Sequence, residues 1–374
     1  MEAGKKILIT GSEGFLASNL IVELKNRGYK ELLLCNRKTS HKELANFTKE
    51  CDVVFHLAGV NRPKSEDEFW KGNFEFTKEL LCGLKENKTG KLKIIFSSSV
   101  QAELQNEYGK SKKEAENILF DFAEERNVKI FIYRLTNVFG KWCKPNYNNV
   151  VATFCSKIAK KEEIEIHNPN AYVNLIYIDD VVRKFIEHID NNKILKTGFY
   201  SIEPIYKITV GDLAKKIYKF LEQRESLFIT NMSDDFTKKL YSTYLSYLET
   251  GQFKYELVMK SDSRGSFTEF IKMKEYGQVS INVILPGETK GNHWHHTKVE
   301  KFLVVSGKAS ICFRHIITNE KIEFIVCGEK LEVINIPVGY THNITNIGIE
   351  NLVTVMWVNE IFDLKNQDTY FEKV

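Results

Sequence analysis

Three histidines, His293, His295 and His296, fall within four positions, Glu300 follows closely, and His342 comes later behind Pro337 and Gly339. Alternate positions on a strand face one side, so His293 and His295 can converge on one point while Glu300 and His342 return from later strands. Neutral imidazoles and a carboxylate, with a position left for water, suit Zn²⁺ or another borderline divalent metal. A second set lies earlier. Ser97, Ser98 and Ser99 precede Tyr108 and Lys112, which are four apart in a stretch that continues as the helix KSKKEAENILFDFAEE and so share a face. A nearby ammonium favours the phenolate, so Lys112 is expected to lower the Tyr108 pKa toward working pH. Tyr108 would then exchange a proton with a carbonyl or alcohol oxygen held by a serine hydroxyl.

These groups need a scaffold. KKILIT (Lys5–Thr10) is a short apolar run that enters GSEGFLA and then a helix whose Leu16, Leu20 and Leu24 recur every four residues. Strand, glycine turn and helix make a phosphate site, because free amides at a helix start attract anions. Gly11 permits the turn, Gly14 lets a pyrophosphate approach, and Phe15 and Leu16 open the helix beside it; Ala17 stands where a third glycine often sits. A second strand, Glu31–Leu34, leads to Arg37 and Lys38, where an acid would read the ribose hydroxyl of NAD. Two cations there favour a 2′-phosphate and therefore NADPH. A third buried strand, residues 51–56, runs into Leu57, Ala58 and Gly59, small enough for a cofactor to lie across the strand end.

The first 250 residues, nearly, resemble the extended short-chain dehydrogenase/reductase family. That resemblance implies Tyr108 as acid/base, Lys112 as the lysine that binds nicotinamide ribose and tunes it, and Ser99 as the substrate-oxygen serine, with Ser98 a close rival. It also places the HLAGVNRP segment and Asn73 on the cofactor side, with Arg62 of that segment reaching the substrate, and Arg134 and Asn137 on the way to a sugar-nucleotide site. The loop KWCKPNYNN adds Lys141 and Trp142, a basic and an aromatic group for pyrophosphate and uracil. Val100-Gln101 follows Ser99 where related 4,6-dehydratases carry an Asp-Glu pair, so dehydration is not expected.

Beyond Lys260 the pattern turns to short alternating strands. Gly287, His293, His295, Glu300 and Gly307 match the first motif of the cupin family, and Pro337, Gly339, His342 and Asn346 fit the second, although Leu331 replaces its first glycine. His295 fits the spacing better than His296. DSRGSFTE (residues 262–269) resembles the entry strand of cupins that epimerise keto-sugar nucleotides. The expected fold class is an α/β Rossmann-type domain over residues 1–248 followed by an all-β jelly-roll cupin over 249–374. Helical or mixed elements are expected over Ile158–Ile166 and Val210–Leu221.

The composition agrees with two soluble domains: 374 residues, 43% hydrophobic and 27% charged. A formal charge of +4, interspersed along the chain, gives no argument for nucleic acid. Seven scattered cysteines without CxxC suit a reducing compartment. With no signal-peptide pattern and no membrane-length apolar run, a cytoplasmic protein without membrane insertion is expected.

The whole chain resembles the bifunctional capsular polysaccharide synthesis enzymes. Their cupin half epimerises C3 of UDP-2-acetamido-2,6-dideoxy-β-L-arabino-4-hexulose, and their reductase half reduces C4 with NADPH to UDP-2-acetamido-2,6-dideoxy-L-talose. The resemblance implies a homodimer, a zinc-bound cupin and a UDP-linked 4-keto-6-deoxy-N-acetylhexosamine as substrate. Epimerisation must come first, because reduction removes the acidity it needs. The C3 base stays open among a metal-near histidine, a tyrosine and Lys301. Two other readings are a reductase with a structural, dimerising cupin and a non-enzymatic sensor of NADPH and sugar nucleotide.

Overall fold

Four buried residues in a row, Ile7–Thr10 (β1), have the pattern of a central parallel strand covered on both faces. The computed structural model describes residues 4–190, 196–363 and 367–374. After β1 come α1 (Phe15–Asn26), β2 (Leu32–Cys35), α2 (His41–Glu50) and β3 (Val53–His56). A short helix α3 (Asp67–Phe69), a π-helical turn (Trp70–Glu75) and α4 (Phe76–Leu84) then lead to β4 (Lys93–Ser99), a 3₁₀ turn (Val100–Glu103), α5 (Glu107–Arg126) and β5 (Lys129–Leu135). The chain continues through β6 (Asn137–Phe139), α6 (Val150–Ala159), β7 (Tyr172–Tyr177), α7 (Ile178–Asp190), β8 (Gly198–Tyr200), β9 (Tyr206–Thr209), α8 (Val210–Ser226) and α9 (Asp235–Leu245).

Six parallel strands lie in the order β2-β1-β3-β4-β5-β8, a doubly wound sheet. Alternation along the strands divides its core. Ile7, Ile9 and Phe55 pack toward Leu20 and Leu24 of α1 and Phe185 of α7, while Leu8, Val54 and Phe96 pack toward Leu119 and Phe122 of α5. The expected element over Ile158–Ile166 is instead the end of α6. Lys161 takes a left-handed φ of 59°, and the charged run after it leaves the helix.

The second unit holds β10 (Met259–Asp262), β11 (Gly265–Met273), β12 (Gly277–Ile284), β13 (Thr289–Trp294), β14 (Glu300–Ser306) and β15 (Lys308–His315). It continues with β16 (Lys321–Cys327), β17 (Val333–Ile336), β18 (Tyr340–Asn346), β19 (Leu352–Val358) and β20 (Tyr370–Phe371). Two antiparallel sheets, β10-β11-β12-β19-β14-β17 and β16-β15-β18-β13-β20, make a jelly-roll sandwich around Ile284, Phe302, Val304, Ile311, Phe313 and Ile344. Contacts divide the chain into residues 1–218 with 233–249, and residues 219–232 with 250–374. Segment 219–232, expected in the first domain, joins the second because Ile229 N–H donates to the Lys272 carbonyl (2.9 Å) and Lys272 N–H donates to that of Leu227 (2.8 Å).

Candidate active site and candidate metal centre

In the first unit the glycine turn closes tightly. Gly11 has φ 67°, and a Cβ there would come within 2.8 Å of the Ala58 Cα. The ends of β1 and β3 are tied by polar groups beneath them. The Thr10 hydroxyl receives the N–H groups of Leu57 and Ala58 and lies 2.8 Å from His56 Nδ1, while His56 Nε2 meets the Thr77 hydroxyl at 2.8 Å. Burial pushes the His56 pKa down to about 3, so the ring is a neutral strut. Asn73 sits on the π-turn, where its carboxamide accepts from Val60 N–H (2.8 Å) and donates to the Val60 carbonyl and Ser111. Single π-turns of this kind often aim a side chain at a functional site.

A cleft of about 510 Å³ opens above these strand ends. Of the expected residues, Gly14, Phe15, Leu16, Leu57, Ala58, Gly59, Asn73, Ser98, Ser99, Tyr108, Lys112, Asn137 and Trp142 line it. The position of Tyr108 depends on its neighbour. Asn106 caps α5 through Gly109 N–H (2.7 Å), and a Cβ on Gly109 would meet the Gln101 carbonyl at 2.3 Å. The two rival serines also separate. Ser98 Oγ donates to the fully buried Glu116 (2.6 Å), whereas Ser99 interacts with Tyr108 and accepts from Gln101 N–H.

Several expectations need correction. Lys112 does not lower the Tyr108 pKa here. Burial raises it, with Ser99 opposing, while the Lys112 ammonium donates to the Ser97 carbonyl (2.7 Å) and lies over the Phe96 ring. Burial in turn brings Lys112 down to about 8, against the pull of Glu116. Arg134 does not line the cleft, because Glu116 takes its guanidinium in two bonds of 2.9 and 2.6 Å, with Glu103 and the Phe199 ring beside it. Lys141 pairs with Asp179 at 2.5 Å, outside the lining. Arg62 instead donates to the Asn146 and Tyr147 carbonyls (2.9 and 2.6 Å), which fastens the loop carrying Trp142. Arg37 and Lys38 are exposed just past β2 and do not line the cleft.

In the second unit, His293, His295, Glu300 and His342 come together with one ligand atom from each, all within 4.8 Å of one another. β13 and β18 approach closely enough because Gly291 has φ 103° and its absent Cβ would meet the His342 carbonyl at 2.8 Å; a bulge between Gly291 and His293 turns the histidine inward. Glu300 Oε2 lies 3.1 Å from His342 Nε2 and 3.6 Å from His295 Nε2, yet all three atoms are buried without a hydrogen-bond partner. Three inward ligand atoms left unsatisfied, with the half-buried His293 beside them, fit a divalent cation. Burial brings His293 down to about 4, so its imidazole is neutral and ready to ligate. Burial pushes Glu300 up, but His295 and His342 outweigh it and hold the carboxyl well below its ordinary range. His296 faces away, against Trp294 and Tyr370. Lys301 points opposite to Glu300, exposed and bonded to Asn335 (2.6 Å), which removes it as a base in this pocket.

The comparisons with known proteins follow the same division. Residues 7–202, more than half of the chain, match the NAD dependent epimerase/dehydratase family. The chain belongs to this family. Beyond the family domain, residues 260–370 match the polysaccharide biosynthesis C-terminal domain. The UDP-2-acetamido-2,6-beta-L-arabino-hexul-4-ose reductase of Pseudomonas aeruginosa is 43% identical over 365 residues, which span 98% of either protein. The capsular polysaccharide assembling protein CapF of Staphylococcus aureus is 47% identical, with a TM-score of 0.92 over 99% of this chain and 100% of that one. The Bordetella bronchiseptica enzyme WbmF, solved with NAD⁺ and UDP, is 20% identical and shares the fold over 65% of this chain and 92% of that one, with a TM-score of 0.55. Among the described residues no helix is long and apolar enough to cross a membrane.

Proposed function

We propose that this chain is a bifunctional sugar-nucleotide enzyme that first epimerises C3 of UDP-2-acetamido-2,6-dideoxy-β-L-arabino-4-hexulose and then reduces the C4 ketone. The observation that carries the reading is the presence, in one chain similar along its length to the Pseudomonas aeruginosa reductase, of a Ser99–Tyr108–Lys112 cleft and a convergent His₃Glu quartet in which His295, Glu300 and His342 bury unsatisfied ligand atoms.

For reduction, NADPH supplies the hydride that reaches C4. Tyr108 gives its phenolic proton to the C4 oxygen, and Ser99 holds that oxygen by a hydrogen bond. The Lys112 ammonium, which lines the cleft, binds the cofactor ribose. Gly11, Gly14 and the start of α1 receive the pyrophosphate, and Arg37 and Lys38 receive the 2′-phosphate from the exposed end of β2. Asn137 and Trp142 take the sugar nucleotide. Arg134, Lys141 and Arg62 act from outside the lining, by bracing Glu116, Asp179 and the Trp142 loop.

For epimerisation, His293, His295, Glu300 and His342 would hold a divalent cation, read as Zn²⁺. Such a cation supplies positive charge for the anion left when a proton leaves the carbon beside a ketone. The neutral His293 imidazole and the ionised Glu300 carboxylate offer ligand atoms free of protons. The protein acts as a homodimer in the cytoplasm.

The test is to supply the UDP-4-keto sugar with NADPH and identify the product. The L-talo product, formed with one NADPH per sugar, supports the reading. A reduced sugar with C3 unchanged reduces the protein to a ketoreductase whose cupin is structural.

A further inference from the structure

Segment 367–374 lies along β13. β20 pairs with β13 in the register His293↔Phe371 and Trp294↔Tyr370, and Glu372 N–H donates to the Asn292 carbonyl (2.9 Å). Its firmest hold is at Asp368. One carboxylate oxygen accepts from His296 N–H (2.9 Å). The other accepts from the N–H groups of Thr297 (2.6 Å) and Lys298 (2.9 Å) and from the Thr297 hydroxyl (3.0 Å). Burial pushes the Asp368 carboxyl up, but the three amides outweigh it and hold it far below its ordinary range. The turn that carries the chain from His295 to Glu300 is therefore closed around one carboxylate.

The Asp368 main chain bears on the ligand itself. Its carbonyl lies 2.5 Å from His295 Nδ1. A carbonyl only accepts, so Nδ1 must carry a hydrogen, and in the neutral ring Nε2 is then the bare nitrogen. That Nε2 is the buried, unpartnered atom 3.6 Å from Glu300. His342 has no such fastening, since both of its ring nitrogens lack a partner.

We propose that Asp368 is a positioning residue of the metal centre: its carboxylate closes the 295–298 turn, and its carbonyl fixes His295 as the tautomer that offers Nε2 to a divalent cation. This rests on reading the quartet as a metal site. Partners that orient a metal-ligating histidine typically change metal affinity by about 10–100-fold when altered.

The test uses full-length protein labelled with ¹⁵N-histidine and stripped of metal, with His295 assigned through His295→Gln. In the unsubstituted protein, long-range ¹H–¹⁵N spectra should show His295 with hydrogen on Nδ1. In Asp368→Ala that signal should give way to a mixture of tautomers, and the Co²⁺ dissociation constant, read from the visible absorption of the bound ion, should rise by about 10–100-fold. Asp368→Asn, which keeps one accepting oxygen, should recover part of both and serves if the alanine variant does not fold. NADPH binding, a property of the other unit, checks that the variants are otherwise intact. An unchanged tautomer and unchanged Co²⁺ affinity in both variants would overturn the proposal alone. An unsubstituted protein that binds no Co²⁺ would overturn the metal reading, and this proposal with it.

Discussion

The Lys112 ammonium donates to the Ser97 carbonyl at 2.7 Å, one strand end away from the tyrosine that precedes it by one helical turn. In this structure Lys112 therefore stabilises the end of β4, and burial makes it an unusually weak base at about 8. The sign of the consequence is fixed. A lysine whose folded pKa is depressed carries its charge only below that value, whereas the unfolded chain stays protonated up to about 10.4. Stability from this group therefore rises with pH between about 8 and the ordinary lysine value.

Cofactor binding should run the other way. If the charged form of Lys112 grips the ribose, NADPH affinity measured by fluorescence should weaken as pH climbs through about 8. Lys112→Met should bind more weakly and lose that pH step. A step of equal size in the methionine variant would assign it to another group.

The two serines should part company on substitution. Ser99→Ala and Tyr108→Phe remove groups at the reacting oxygen, and the tyrosine change should lower kcat by about 10²–10⁴-fold with NADPH affinity kept. Ser98→Ala strips a donor from the buried Glu116, so it should cost about 1–3 kcal/mol in urea unfolding while kcat changes little. Equal kinetic losses at both serines would contradict this division.

Arg134 was expected at the sugar nucleotide from the family resemblance, and the residue that claims it, Glu116, lies 18 positions away in sequence. Arg134→Met should therefore destabilise the first unit by roughly 3 kcal/mol, the order seen when a buried pair loses one partner, and leave the substrate KM near its starting value. A large rise in KM with stability intact would return Arg134 to the substrate.

These cases mark what the sequence makes legible. Local spacing carries most of the chemistry. The β1–glycine turn–α1 pattern, the Tyr108–Lys112 interval and the His-x-His then Glu run each place their residues through a single element or one turn. Even the choice of His295 over His296 follows from the spacing of the cupin motif that the run resembles. Long-range pairing is silent in sequence. Glu116 behind Ser98, Asp368 behind His295, and the closing of segment 219–232 onto Lys272 join positions that no periodicity connects. The π-turn that aims Asn73 is hidden for a different reason, since one widened turn barely disturbs a helical pattern.

Gly291 shows how narrow the tolerance at the quartet is. An alanine there would push its Cβ against the His342 carbonyl and must hold φ 103°, so Gly291→Ala should cost roughly 1–3 kcal/mol. It should also weaken Co²⁺ binding by more than tenfold while NADPH binding is unaffected. Co²⁺ affinity equal to that of the unsubstituted protein would mean that β13 and β18 can part without disturbing the ligands.

Solvent exchange at C3 tests the two-step account most directly. The protein would be given the UDP-4-keto-6-deoxy-N-acetylhexosamine and NADPH in D₂O, and the product assigned by NMR and mass. The account predicts a reduced sugar with inverted C3 carrying one deuterium there, and no deuterium at C3 when His293→Ala replaces the unsubstituted protein. A reduced sugar with hydrogen retained at C3 in the unsubstituted protein would contradict it.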